Sequence, residues 1–149
     1  DPDLLPDIGK HKFTYSLYPH RHNWERADTV RRGYELNNPL ISKIIKGSVS
    51  PNIDKHLPLK NSFIEVLPSN IFVSVLKKSE DDKNLIIRMY EGHDKKVVAK
   101  VKTTLPVAYA IETDLMEMPI KGKRFKISNG IISFPLGKHE IKTLKLMIK

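Results

Sequence analysis

The sequence contains no cysteine, which excludes a disulfide framework, a thiolate zinc site and a cysteine nucleophile within its 149 residues. No run approaches the roughly 18 apolar residues of a membrane span. The opening DPDLLPDIGK also lacks the basic-then-apolar order of a secretory signal. A soluble chain is expected, and a cytoplasmic setting is compatible with both absences. Readable catalytic patterns are missing as well: no GxSxG, GxxxxGK[ST], HExxH or GxGxxG occurs. The chain opens on Asp1 without an initiator methionine. It is expected to be a piece of a larger protein and to carry no complete catalytic machinery of its own.

Lysine and arginine outnumber aspartate and glutamate by 26 to 17, giving a formal charge of +9. The basic residues are spread from Lys10 to Lys149 rather than gathered in one arm, so a solvated lysine-rich surface accounts for them better than specific nucleic-acid binding. From Ser62 onward, short runs of valine, isoleucine and aromatic residues alternate with polar punctuation, the pattern of antiparallel strands. Val97, Ala99 and Val101 share one face of such a strand while Lys100 and Lys102 share the other. Ile71–Leu76 is apolar at both parities, which predicts a central strand covered on both sides. Polar connections at Ser79–Lys83 and Gly92–Lys95 predict three consecutive hairpin-paired strands, Ile71–Lys77, Leu85–Tyr90 and Val97–Val101. Further strands are expected at Val107–Ile111, Arg124–Ser128, Ile131–Phe134 and Glu140–Ile148, with a tight turn at Ser128-Asn129-Gly130. Alternation fails after Ile141, so a bulge is expected near Lys142 or Thr143. One helix is predicted over residues 24–36: Trp24, Ala27, Val30 and Tyr34 fall at helical spacing, Asn23 can cap it and Asn37-Asn38-Pro39 should end it. A short strand is conceivable over residues 40–45. The rest of the stretch to Lys60 is irregular, and no internal repeat or convincing domain boundary emerges. The fold class is mainly β, an antiparallel sandwich with one short helix, and residues 1–149 are expected to form a single domain or part-domain.

Each candidate site has a simpler account. His20 and His22 would point the same way on an extended segment, and His11 lies at the start of the same predicted strand. A metal site needs at least three converging ligands with a supporting second shell, and no carboxylate partner can be named from spacing, so loop or packing roles are expected and no metal ligand is assigned. Glu112, Asp114 and Glu117 invite a glycosidase reading, since such enzymes set two carboxylates roughly 5–10 Å apart. Sequence spacing cannot supply that distance, and solvated carboxylates are the expectation. Asp81 and Asp82 lack the glycine and distal glutamate of an EF-hand loop and read as a polar hairpin tip. Trp24, the sole tryptophan, sits on the helical stripe with Tyr34. Core packing is expected for both rather than a sugar platform.

The stretch Pro6-Asp7-Ile8-Gly9-Lys10-His11-Lys12-Phe13-Thr14-Tyr15-Ser16-Leu17-Tyr18-Pro19-His20, followed by Trp24 and by Glu35-Leu36-Asn37-Asn38-Pro39-Leu40, resembles the C-terminal region of glycoside hydrolase family 38 α-mannosidases of prokaryotic type. Weaker likenesses follow in order at Ser74–Lys78, Leu85–Glu91, Thr113–Glu117 and Glu140–Leu146. The resemblance implies a parent enzyme with an N-terminal α/β barrel that holds a divalent metal, usually zinc, and an aspartate nucleophile for retaining hydrolysis of terminal α-mannosides. None of that barrel is in this chain. The matching part is a β-sandwich of the galactose-mutarotase-like kind, expected to pack on the barrel, complete the active-site surroundings and support assembly; a homo-oligomeric parent is compatible with it. No catalytic residue is assigned here, and His20, Arg21, His22 and Trp24 are the candidates to lie near the parent's carbohydrate substrate. Bacterial relatives often read Tyr-Pro-His-x-Gly-Asp-Trp where this chain has Tyr18-Pro19-His20-Arg21-His22-Asn23-Trp24. If that glycine takes positive φ, His22 must either change the loop or tolerate strain. An autonomous carbohydrate-binding module is the alternative. A sandwich separated from its barrel should leave bare apolar surface beyond the usual ~300–600 Å² patch.

Overall fold

Apolar residues at every second position oblige the chain to form strands that bury one face, and β-branched side chains favour the pleat. The computed structural model of the chain describes residues 8–44 and 60–149, which fall in two compact units, Asp1–Ile45 and Lys46–Lys149. The division lies inside the stretch that the sequence leaves undecided.

The described part of the second unit contains eight strands: β1 Ile64–Leu67, β2 Ile71–Lys78, β3 Leu85–Glu91, β4 Val97–Thr103, β5 Val107–Thr113, β6 Pro119–Ser128, β7 Ile131–Leu136 and β8 Ile141–Ile148. All pairings are antiparallel, in the order β1-β4-β7-β6-β5-β8-β3-β2. β6 joins two layers, because its Arg124–Lys126 stretch pairs with β5 whereas Ile127 and Ser128 pair with β7. The result is the expected antiparallel sandwich. Ile87, Met89, Leu144 and Leu146 from one layer meet Ala99, Val101, Ile132 and Phe134 from the other in a single core, and the rings of Phe125 and Phe134 lie 5.4 Å apart. Burying each large aliphatic side chain contributes about 2 kcal/mol. Strand β4 follows its expected alternation, with Ala99 and Val101 buried and Lys100 and Lys102 exposed.

Three expectations are corrected. Gly92–Lys95 is not a hairpin: β4 pairs with β1 and β7, and β8 takes the place beside β3. The connection crosses between layers, which a loop's local composition does not encode. Among the described residues strand β2 is terminal in the order, not central, and pairs with β3 alone. Its mixed parity arises because Ile71 faces the core while Phe72 stacks on Tyr90 across the other face, after which a bulge between Val73 and Val75 shifts the parity and sets Leu76 opposite Ile87, where at the sheet edge it stays exposed. Such irregularity and the closing pair of lysines are common devices at sheet edges. Finally, β8 runs without a register break against β3. Ile141 faces outward opposite Tyr90, and Lys142 takes an inward position opposite Met89, its charge matched by carboxylates described below. The nearest irregularity is in β6, where the five-residue advance from Pro119 to Arg124 spans only Thr113 to Ile111 of β5, the β5 stretch that pairs with Thr143 to Lys145.

The turn at Ser128-Asn129-Gly130 is as expected. Asn129 and Gly130 have φ of +48° and +74°, the pair of left-handed residues that lets a two-residue loop match strand twist. A Cβ on Gly130 would lie 2.8 Å from the Thr103 carbonyl oxygen, so Gly130→Ala should lower stability by about 2 kcal/mol in a urea titration.

Among the described residues of the first unit, regular helix is limited to α1, Thr29–Asn37, shorter at its start than the predicted 24–36. Asn23 does cap as expected, its Oδ1 accepting the Arg26 N–H at 3.0 Å. The turn it opens closes at once: Asp28 adopts φ +56°, the Thr29 N–H donates to the Trp24 carbonyl at 3.1 Å and the Asp28 N–H to that of Glu25 at 3.2 Å. That pair of bonds around a left-handed residue is a Schellman stop, here built on aspartate rather than glycine. The helix then restarts and ends at the expected place, where the Asn38 N–H and Nδ2 both donate to the Tyr34 carbonyl. Residues 40–44 form no strand, residue 45 lies outside the described residues, and no strand carries His11 or His20.

Candidate functional site

The candidates His20, Arg21, His22 and Trp24 come together in the turn that leads into α1. Tyr18 fixes its start, donating its hydroxyl to the Ala27 carbonyl at 3.2 Å, with its ring 5.6 Å from that of His20. His22 itself adopts φ +69°, so the strain is tolerated and the loop needs no other path. Trp24 is 45% exposed and no residue of α1 is buried. Its core assignment is therefore overturned, because the early stop at Asp28 takes Trp24 off the helical stripe; Tyr34 is half-buried. Two imidazoles, a guanidinium and an indole thus face solvent, a set able to donate hydrogen bonds and offer a ring face. Left-handed φ costs a β-carbon-bearing residue of order 1 kcal/mol. His22→Gly should stabilise this unit by about that amount in urea unfolding followed through Trp24 fluorescence, since glycine adopts positive φ freely.

The acidic residues Glu112, Asp114 and Glu117 are engaged in three different places. Glu112 accepts from Lys142 Nζ at 2.8 Å. Asp114 Oδ1 accepts the N–H groups of Met116 and Met118 at 2.8 and 2.9 Å, shaping the β5–β6 loop. The buried Glu117 accepts from Lys77 Nζ at 2.7 Å, Ser79 Oγ at 3.2 Å and the Glu80 N–H at 3.1 Å. The Lys77 ammonium, the Glu80 amide and the Ser79 hydroxyl hold its carboxyl below the usual range despite burial. Asp82 pairs with Lys145 at 2.7 Å, which with Asn84 brings its pKa down to about 2.

Two polar assemblies escape a reading by motif. Glu91, 1% exposed, ends β3 and accepts from Asn70 Nδ2 at 2.7 Å, the His93 N–H at 2.7 Å and the His139 N–H at 3.1 Å. Burial would raise its pKa, but these donors and the Lys95 N–H outweigh it and bring the value to about 2. Lys142, 6% exposed, binds Glu112 at 2.8 Å and Glu140 at 2.7 Å. Here too burial opposes the charge, and the two carboxylates overcome it to raise the lysine's pKa. A signal for both did exist: Glu91 continues the inward parity of Ile87 and Met89, and Lys142 that of Leu144 and Leu146. A charge on a core-facing position must be compensated.

A cavity of about 390 Å³ beside β1 and β4 is lined by Lys60, Asn61, Ser62, Glu65, Lys102, Thr103 and Thr104. Thr103 Oγ1 already donates to the Phe63 carbonyl at 2.9 Å and accepts the Leu105 N–H at 3.0 Å. Among the described residues no ring lines this cavity for a sugar to stack on. Among the described residues no three His, Asp or Glu side chains gather as a metal site, and no helix is long and apolar enough to cross a membrane.

Comparison with known proteins agrees with this architecture. Residues 70–144 match the family model described as the glycosyl hydrolases family 38 C-terminal beta sandwich domain. The chain is 32% identical over 152 residues to alpha-mannosidase G of Dictyostelium discoideum, covering 98% of the chain and 13% of that protein. It is 26% identical over 151 residues to alpha-mannosidase 2C1 of Homo sapiens, covering 99% of the chain and 14% of the relative. An alpha-mannosidase of Saccharomyces cerevisiae is 26% identical over 133 residues, with 80% and 12% covered. The chain therefore spans only about one-eighth of these relatives' length.

Proposed function

The chain belongs to glycosyl hydrolase family 38, as its C-terminal β-sandwich domain, and from that premise we propose that it is a non-catalytic part of a cytoplasmic α-mannosidase-like enzyme. In this reading residues 1–149 act as one C-terminal piece, packing on an N-terminal barrel, supporting its active site and assisting assembly. The barrel would cleave terminal α-mannosides by a retaining mechanism, with a divalent metal, zinc, held outside this chain. The described residues do not fit that metal, since His20 and His22 gain no third ligand. What carries the reading is the engagement of Glu112, Asp114 and Glu117 in separate structural bonds. Retaining hydrolysis asks instead for two carboxylates roughly 5–5.5 Å apart and free to act on substrate. Deleting residues 1–149 from the longer polypeptide should remove most aryl α-mannosidase activity, and adding the chain in trans should restore part of it. Full activity in the truncated enzyme would overturn the reading.

The exposed indole of Trp24 beside His20 and Arg21 favours a second reading, a carbohydrate-binding module. Calorimetric titration of the chain with mannose and mannobiose separates the two. Saturable binding lost in Trp24→Ala supports the module, and absence of saturable heat supports the structural role.

A further inference from the structure

Residues 10–20 carry neither helix nor strand, and within them Phe13, Tyr15 and Leu17 are 81%, 86% and 91% exposed. Side chains two apart share a face of a strand. Drawn out as a strand, this run would present Phe13, Tyr15 and Leu17 on one side and Lys12, Thr14 and Ser16 on the other. That is the pattern of a strand with one face in a core, although its apolar members here meet water. Singly exposed apolar residues are ordinary, whereas three large ones at period two within five residues indicate a face meant to be covered. The run ends at a fixed point, the bond from the Tyr18 hydroxyl to the Ala27 carbonyl.

Its position indicates what covers it. The run precedes residues 70–144, which match a domain described as C-terminal. Relatives align over 98–99% of the chain, which includes this run, yet the chain is only 13–14% of their length. Most of the remaining length therefore precedes the segment that corresponds to this chain. We propose that residues 11–17 add as a β-strand to the open edge of a sheet in the polypeptide preceding this chain in the parent enzyme, with Phe13, Tyr15 and Leu17 against that sheet's apolar side. Main-chain hydrogen bonds supply the attachment in such strand addition, and alternate side chains its register. The proposal rests on the reading of the chain as the C-terminal part of a larger enzyme.

The test is hydrogen–deuterium exchange of the 149-residue chain and of the longer polypeptide that contains it. Amides of residues 12–17 should exchange at least about a hundredfold more slowly in the longer polypeptide. Phe13→Asp with Leu17→Asp should abolish that protection, and Thr14→Asp with Ser16→Asp should keep it. Equal exchange in the two proteins overturns the proposal, as does protection in the isolated chain that rises with concentration, which would mean pairing with a second copy. Aryl α-mannosidase activity, assayed on the same longer polypeptide, separates the two claims. Hydrolysis without protection removes the strand alone, while protection without hydrolysis removes the enzyme reading and leaves the strand.

Discussion

Glu91→Ala is expected to lower the unfolding free energy of the chain by about 3–4 kcal/mol at pH 7, because it removes at once the buried acceptor shared by the buried Asn70 amide and by part-buried backbone N–H groups. Asn70 stands between β1 and β2, His93 and Lys95 between β3 and β4, and His139 between β7 and β8, so one carboxylate ties together three connections. Glu91→Gln keeps one acceptor oxygen but aims an NH₂ group at donors, and should lose about half as much. A pH dependence follows. Burial would raise the Glu91 pKa, yet its hydrogen bonds bring it down to about 2 from an ordinary 4.5. Its contribution is therefore present in full above the unfolded value and fades as pH falls toward 2. Urea titrations followed by circular dichroism should show the wild-type advantage over Glu91→Gln shrinking between pH 5 and pH 2. A constant difference would contradict this assignment.

Lys142→Ala is expected to be comparably severe, about 3–5 kcal/mol, since removing one member of a buried ion pair strands its partner. Glu112, only 13% exposed, accepts from Lys142 at 2.8 Å, and its Oε2 is buried without a hydrogen-bond partner. Glu140 is 39% exposed and would remain hydrated. The double variant Lys142→Met with Glu112→Gln should recover much of the loss, because an apolar stem beside a neutral amide avoids the stranded charge. If the double variant is no more stable than Lys142→Ala, the cost lies in packing and not in charge. The raised lysine pKa predicts stability that persists through neutral pH and falls only as pH rises above the ordinary lysine value.

Local features were legible in the sequence because local chemistry determines them. The β4 alternation, the Asn129–Gly130 turn, the Asn23 cap and the helix end at Asn37 each depend on a few adjacent residues. Pairing was less legible. That β8 inserts between β3 and β5 depends on which apolar faces meet across 30 or more residues, so a polar loop such as Gly92–Lys95 reads as a hairpin although it joins two layers. The helix start was missed because aspartate at position 28 occupies a conformation that glycine usually marks. Of the candidate site, the meeting of His20, Arg21, His22 and Trp24 in one turn follows from adjacency, and the positive φ at His22 matches the glycine of the bacterial pattern. The engagement of Glu112 by Lys142 and of Glu117 by Lys77 could not be read, because those lysines come from other strands, whereas Asp114 is held by the amides of its own loop.

The central claim is that this sandwich contributes to catalysis performed elsewhere. The most direct measurement is hydrolysis of an aryl α-mannoside by the purified 149-residue chain with added zinc. The account predicts a rate equal to the buffer control at every zinc concentration. Turnover above that control, abolished by Glu112→Gln or Glu117→Gln, would contradict it.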